Sequence, residues 1–179
     1  MGCFALVYSA NNYSVHKTFL NTMGLLNFFK GVGEKIFGKE HEAAAAEPAK
    51  AAEVEPLKAG ALLNHVKQLG LAYNTLTIRT KADTVTIEGG VKSQEDAEKI
   101  ALAVGNVEGV HVVDNQLVVD DPTPEATYHE VKSGDTLSKI AKEVYGDPMK
   151  YGVIFEANKP MLKEPDLIYP GQMLRIPQL

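Results

Sequence analysis

The sequence predicts an α+β fold with two small domains, at residues 57–120 and 128–179. In both regions, short runs that alternate apolar and polar residues, typical of strands, adjoin segments with apolar residues at helical spacing. A connector that contains proline, residues 121–127, separates the two regions. A chain of 179 residues is long enough for two domains of this size.

Composition excludes several classes of protein. The net charge of −5 argues against nonspecific binding to nucleic acid, which requires a basic surface. Cys3 is the only cysteine, so the chain forms no internal disulfide. No apolar run approaches the roughly 20 residues of a membrane-spanning helix.

The N-terminal part divides into an extension, a leader and a linker. Residues 1–22 lack a basic region before their short apolar run, so we interpret them as an upstream-start artefact or a tail; a poorly formed export or anchor signal is the alternative. Residues 23–38 carry an apolar stripe at helical spacing and predict a helix to Lys30, a turn, and a restart near Glu34. The stripe either packs on the following domain or lies on a membrane surface. Residues 39–56, rich in Ala, Glu and Pro, predict a part-helical linker.

The region 57–120 predicts the order helix, strand, strand, helix, strand. Ala82-Asp83 is a tight turn between the first two strands, and Ser93 caps the second helix. The segments Val85–Val91, with its Gly89-Gly90 pair, and Val107–Val110 resemble the BON domain. That resemblance implies an association with envelope, phospholipid or osmotic-stress proteins.

The region 128–179 predicts a strand, two helices and a closing strand. The first helix has an apolar face of Leu137, Ile140, Ala141 and Val144, with Asp135 or Thr136 as its N-cap and Gly146 as its end. The segments Gly134–Leu137, Tyr145-Gly146, Ala157-Asn158 and Pro170–Pro177 closely resemble the LysM domain.

LysM domains generally bind glycans that contain N-acetylglucosamine, such as peptidoglycan and chitin. The resemblance implies a shallow glycan groove formed by Gly134, Asp135, Thr136, Leu137, Asn158, Ile168, Pro170 and Gly171. The connection between Asn158 and Pro170 is long and contains two further prolines and two acidic residues. We expect this connection to cover or reshape the groove.

No catalytic constellation is present in the sequence, so we predict that the protein is not an enzyme. The five histidines, His16, His41, His65, His111 and His129, are scattered and are predicted to lie at the surface. Glu164 and Asp166 lie in a loop, where a solvated acidic pair is commoner than a glycosidase pair.

The combination of a short leader, a BON region and a C-terminal LysM region resembles the BON–LysM family of small bacterial potassium-binding proteins. The resemblance implies a cytoplasmic protein that binds potassium ion and is linked to potassium or osmotic stress. The competing interpretation is a peptidoglycan-binding protein of the periplasm or envelope. A third interpretation, a protein at a phospholipid surface, rests on the BON region and the apolar leader.

Potassium is a large, weakly polarising cation that suits backbone carbonyls, which leave almost no signature in a sequence. The glycines of Gly31-Val32-Gly33 would allow several carbonyls to converge after the predicted end of a helix at Lys30. We therefore predict a carbonyl site for potassium at Phe29, Val32, Gly33 and Lys35, with the seam between the two domains as the alternative.

Overall fold

The computed structural model describes residues 24–28, 33–37 and 48–179. It confirms the α+β class. In chain order the elements are β1 (Leu25–Asn27), α1 (Pro48–Gln68), β2 (Thr75–Lys81), β3 (Thr84–Ser93), α2 (Gln94–Gly105), β4 (Val112–Asp121), β5 (Thr127–Glu130), α3 (Leu137–Tyr145), a 3-10 turn (Pro148–Lys150), α4 (Tyr151–Ala157) and β6 (Met173–Ile176). Among these elements, no helix is both long and apolar enough to cross a membrane.

The first unit is a four-stranded sheet in the order β1-β4-β3-β2. β2 and β3 are antiparallel and are joined by a tight turn in which Ala82 has a positive φ of 56°. β3 and β4 are parallel because helix α2 crosses between them. Alternate residues of β4, from Val113 to Val119, are buried together with Leu62 of α1 and Ile100 of α2. The two helices therefore cover one face of the sheet.

The second unit pairs β5 with β6 in an antiparallel sheet and packs α3 and α4 against it. Thr136 caps α3 by accepting a hydrogen bond from the Lys139 N–H, and Gly146 ends the helix in the left-handed conformation, as predicted. Leu137 and Ile140 are buried, but Val144 is 45% exposed, so its predicted place in the core is wrong. Val144 lies in the last turn of this short helix, where the neighbouring Tyr145 packs on the core instead.

The N-terminal leader is not the predicted helix. Residues Leu25–Asn27 form strand β1, which pairs antiparallel with β4, and Glu34 forms an isolated bridge with Val107 instead of restarting a helix. Two pairs of adjacent apolar residues fit a strand as well as a helix over so short a stretch, and the free edge of β4 supplies backbone partners. Helix α1, in turn, begins at Pro48, inside the segment expected to be a part-helical linker.

Candidate functional site

Residues 33–37 lie against the loop that follows helix α2. The Glu34 N–H donates to the Asn106 carbonyl at 2.8 Å, and the Glu108 N–H donates to the Glu34 carbonyl at 3.0 Å. Gly33 has a φ of 143°, and a Cβ at this position would overlap the Asn106 carbonyl oxygen. Backbone therefore meets backbone here, and only glycine permits the approach.

The strand before this segment is fixed in a similar way. The Phe28 N–H donates to the His111 carbonyl at 2.7 Å, and His111 Nδ1 lies 2.5 Å from the Phe28 carbonyl oxygen. The buried Phe28 ring lies directly over Gly105, where a Cβ would overlap it. The chain is thus anchored to the first unit on both sides of residues 29–32, which lie outside the described residues.

We call the contact of residues 33–35 with residues 102–108 the carbonyl junction. The last carbonyls of a helix lack partners within the helix and carry the negative end of its dipole. At the end of α2 the Leu102 and Val104 carbonyls accept hydrogen bonds from the N–H groups of Asn106 and Val107, at 2.9 and 3.3 Å. The junction therefore concentrates backbone oxygens at the negative end of a helix.

The structure places two of the four predicted potassium residues at the carbonyl junction. Gly33 and Lys35 flank Glu34 there, whereas Phe29 and Val32 lie outside the described residues. The Lys35 side chain is 81% exposed, and its ammonium lies 3.4 Å from Glu108 Oε2. Its side chain therefore contacts the junction through a partly exposed ion pair. The assignment of ligands itself stays a prediction.

Asn106 connects the carbonyl junction to the second unit. Its backbone carbonyl accepts from Glu34, while its side-chain amide bonds both backbone groups of Met173 in β6, at 2.8 and 2.9 Å. Asn158 does the same for Arg175, at 2.8 Å for each bond. Two asparagine side-chain amides thus satisfy the outer edge of β6, and the backbone carbonyl of one of these residues, Asn106, also accepts from the Glu34 N–H.

A buried ion pair joins helix α2 to the same strand. Glu98 is fully buried; its Oε2 accepts from Arg175 Nε at 2.5 Å, and its Oε1 accepts from the Ala126 N–H at 2.9 Å. The nearby Tyr128 hydroxyl is buried and has no hydrogen-bond partner among the described residues. Burial, and then the Glu98 charge, raise the pKa of Tyr128 well above its usual value. We call the ion pair between Glu98 and Arg175 the Glu98 joint.

A cleft of about 310 Å³ lies where the glycan groove was expected. It is lined by Thr136, Leu137, Ser138, Tyr151, Pro165 and Asp166. The long connection before β6 supplies one wall, in keeping with the expectation that it reshapes the groove. The sequence did not indicate Tyr151 as a groove residue, because a tyrosine at the start of a helix is equally typical of a residue that packs in the core.

Of the eight predicted groove residues, Thr136 and Leu137 line this cleft, and the other six are not among its lining residues. Asp135 Oδ2 accepts from the Lys132 N–H at 2.9 Å and from His129 Nε2 at 3.1 Å, and these two bonds, in that order, lower the pKa of Asp135. The Gly171 N–H donates to the Val131 carbonyl at 2.8 Å. The remaining predicted positions range from exposed to buried: Gly134 and Pro170 are exposed, Ile168 is half-buried, and Asn158 is buried.

The histidines correct one prediction. His65 is only 7% exposed, because it projects from α1 into the seam between the units, where its Nε2 lies 3.7 Å from Glu34 Oε2. His111 and His129 are half-buried, and His16 and His41 lie outside the described residues. Within the described part of the chain, no group of three or more His, Cys, Asp or Glu side chains is arranged to hold a metal ion.

Comparison with known proteins agrees with this architecture. The BON domain model matches residues 60–121, and the LysM domain model matches residues 129–177. The chain is 42% identical over 157 residues to the potassium binding protein Kbp of Escherichia coli, a match covering 87% of this chain and 99% of that protein. It is 37% identical over 131 residues to an uncharacterized protein of Deinococcus radiodurans, covering 66% of this chain and 51% of that protein. The chain therefore belongs to the BON–LysM family that includes the potassium binding protein Kbp.

Proposed function

We propose that the protein binds potassium ion at the carbonyl junction. The observation that carries the proposal is the approach of Gly33 and Glu34, by their backbones, to the C-terminal end of helix α2. Potassium is recognised in proteins by converging backbone carbonyls, and the negative end of a helix dipole favours a cation. The name of the relative from Escherichia coli supports the choice of ion.

The test is thermal unfolding in potassium chloride and in sodium chloride at equal ionic strength. A ligand that binds only the folded state stabilises it by about 2.7 kcal/mol at one hundred times its Kd. For a chain of this size, that corresponds to a midpoint about 5–10 °C higher. We expect this increment with potassium and a smaller one with sodium.

Gly33→Ala is the variant that addresses the site. The new Cβ would overlap the Asn106 carbonyl, so residues 33–35 should leave the junction and the potassium increment should disappear. Gly24→Ala is the matched control, because a Cβ there meets no atom within 4 Å. Circular dichroism shows whether Gly33→Ala remains folded. A folded Gly33→Ala protein that keeps the full potassium increment would place the ion elsewhere.

Glycan binding at the LysM cleft is the second candidate. It is favoured by the cleft of about 310 Å³, in which Tyr151 faces Thr136 and the long connection. Titration with an N-acetylglucosamine oligomer tests it, with Tyr151→Ala as the variant and Met149→Ala, 77% exposed and outside the cleft, as the control. Equal heats for wild type and Tyr151→Ala would reject this cleft as the glycan site.

A cytoplasmic location, a link to potassium or osmotic stress, and the absence of catalysis complete the proposal. Both domain families are binding modules, which supports a role without catalysis. Cell fractionation tests the location: recovery from the periplasm with peptidoglycan would favour the glycan candidate. Hydrolysis of purified peptidoglycan that a single carboxylate substitution abolishes would contradict the non-enzymatic assignment.

A further inference from the structure

A second cleft, of about 300 Å³, lies at the seam where three parts of the chain meet. It is lined by the leader residues Gly33 and Glu34, by His65, Ala103 and Asn106 of the BON unit, and by Met161, Lys163, Leu167, Tyr169 and Gln172 of the LysM unit. We call it the seam cleft. Its volume is at the lower end of the range of small-molecule sites.

The seam cleft contains a carboxylate that is open to a ligand. The Glu34 side chain is 64% exposed, and its ion-pair partner, His65, is 3.7 Å away, beyond hydrogen-bond distance. Tyr169 lines the same cleft, and its pKa is raised by burial and then by the charge of Glu34. The hydroxyl of Tyr169 and the carboxylate of Glu34 therefore lie near each other in the seam cleft, where one ligand group can contact both.

The cleft also contains a positive charge that the described residues leave unpaired. Lys163 is exposed and makes no hydrogen bond or ion pair within the described part of the chain. The surface between the charged groups is partly apolar, since Ala103 is buried and Met161 packs on the BON core. One small cleft thus holds charges of both signs.

We propose that the seam cleft binds a small zwitterion of the α-amino acid class. The ligand's ammonium group would bind Glu34 and the Tyr169 hydroxyl, and its carboxylate would bind Lys163. A simple cation would face Lys163 and a simple anion would face Glu34, so a ligand that carries only one charge meets repulsion. A zwitterion satisfies both groups, and its size matches the volume.

The seam cleft adjoins the carbonyl junction and shares Gly33, Glu34 and Asn106 with it, but the two proposals use different groups. Potassium at the carbonyl junction would use backbone oxygens, whereas the seam cleft would use the side chains of Glu34 and Lys163. Lys163→Gln, outside the carbonyl junction, should therefore weaken zwitterion binding without removing the potassium increment in thermal unfolding. The two proposals fail separately, because each has its own variant and readout.

The experiment is equilibrium dialysis of the full chain against a mixture of the proteinogenic α-amino acids, with each amino acid quantified on both sides. The same mixture after N-acetylation lacks the ammonium group, and after conversion to amides it lacks the carboxylate. We expect enrichment of one or more free amino acids with the protein, and loss of that enrichment for both blocked mixtures.

Variants locate the site. Glu34→Gln and Lys163→Gln should each weaken binding of the enriched amino acid about tenfold, equivalent to about 1.4 kcal/mol. Glu143→Gln and Lys142→Gln, exposed positions on α3 outside the cleft, should leave it unchanged. The proposal is overturned if no free amino acid is enriched, if a blocked mixture binds equally well, or if both cleft variants bind like wild type.

Discussion

Two of the contacts that helix α2 makes are built differently. Near its middle, the Glu98 joint holds it to the LysM strand through a fully buried carboxylate and a guanidinium that is 10% exposed. At its C-terminal end, the carbonyl junction holds residues 33–35 through two backbone hydrogen bonds, with the side chains of Glu34 and Lys35 exposed.

The difference separates a permanent contact from one that opens at lower cost. Breaking the Glu98 joint would leave a buried charge without its partner, so its opening costs several kcal/mol. Opening the carbonyl junction exposes backbone groups that water satisfies, so its opening costs less and is the step that an ion would control. Asn106 bonds Glu34 at the carbonyl junction and Met173 in β6, the strand that also carries Arg175, so it links the two contacts.

The largest effect is expected at the Glu98 joint. Glu98→Leu removes the partner of the buried Arg175 guanidinium and should lower the free energy of unfolding by about 3–5 kcal/mol in urea denaturation. The double variant Glu98→Leu/Arg175→Met removes both charges and should recover much of that loss. The control is the removal of Glu88, the partner of the exposed Arg79. If Glu98→Leu lowers the free energy of unfolding by no more than about 1 kcal/mol beyond this control, the joint is not a permanent contact.

A smaller effect is expected where Phe28 packs on α2. Gly105→Ala places a methyl group against the Phe28 ring and should cost about 1–3 kcal/mol by overpacking. It should also weaken the potassium increment, because β1 positions the junction. Gly60→Ala, also in a helix but with no neighbour within 4 Å, should instead stabilise by up to about 1 kcal/mol. Unchanged stability of Gly105→Ala would mean that β1 is not held as described.

Asn106→Ala tests the link between the regions. It removes both amide bonds to Met173 and should lower the free energy of unfolding by about 1–3 kcal/mol, measured by urea denaturation. Asn74→Ala, which loses one exposed bond to Asp120, is the control with a smaller expected loss. If Asn106→Ala matches Asn74→Ala in stability, Asn106 does not join the two units.

The smallest effect concerns the LysM turn, which lies apart from both contacts. Because the folded-state pKa of Asp135 is lowered, its ionised form stabilises the fold above the ordinary carboxyl pKa of about 4, and this stabilisation is lost as pH falls below that value. Asp135→Asn should therefore lose less stability than wild type between about pH 4 and pH 2. Asp121→Asn, at the exposed end of β4, should follow wild type. Parallel curves for wild type and Asp135→Asn would contradict this account.

Local signals predicted much of the fold, and tertiary contacts decided the rest. Ser93, Thr136 and Gly146 act as the predicted helix ends, because caps depend on neighbouring residues. Strand β1 and the burial of Glu98 were not predictable, because each depends on a distant partner, β4 for the strand and Arg175 for the carboxylate. At the carbonyl junction the sequence indicated Gly33, but the leader helix on which that prediction rested is strand β1 over Leu25–Asn27. The helix end that Gly33 meets is that of α2, and this contact depends on the fold.

The most direct test of the carbonyl junction is the ¹³C carbonyl chemical shift of each residue, followed by nuclear magnetic resonance during a potassium chloride titration. Coordination by backbone oxygens should move the carbonyl shifts of residues 33–35 and 102–108, while sodium chloride at equal ionic strength moves them less. Shifts confined to the LysM cleft around Thr136 and Asp166, or equal shifts with both salts, would contradict a potassium site at the junction.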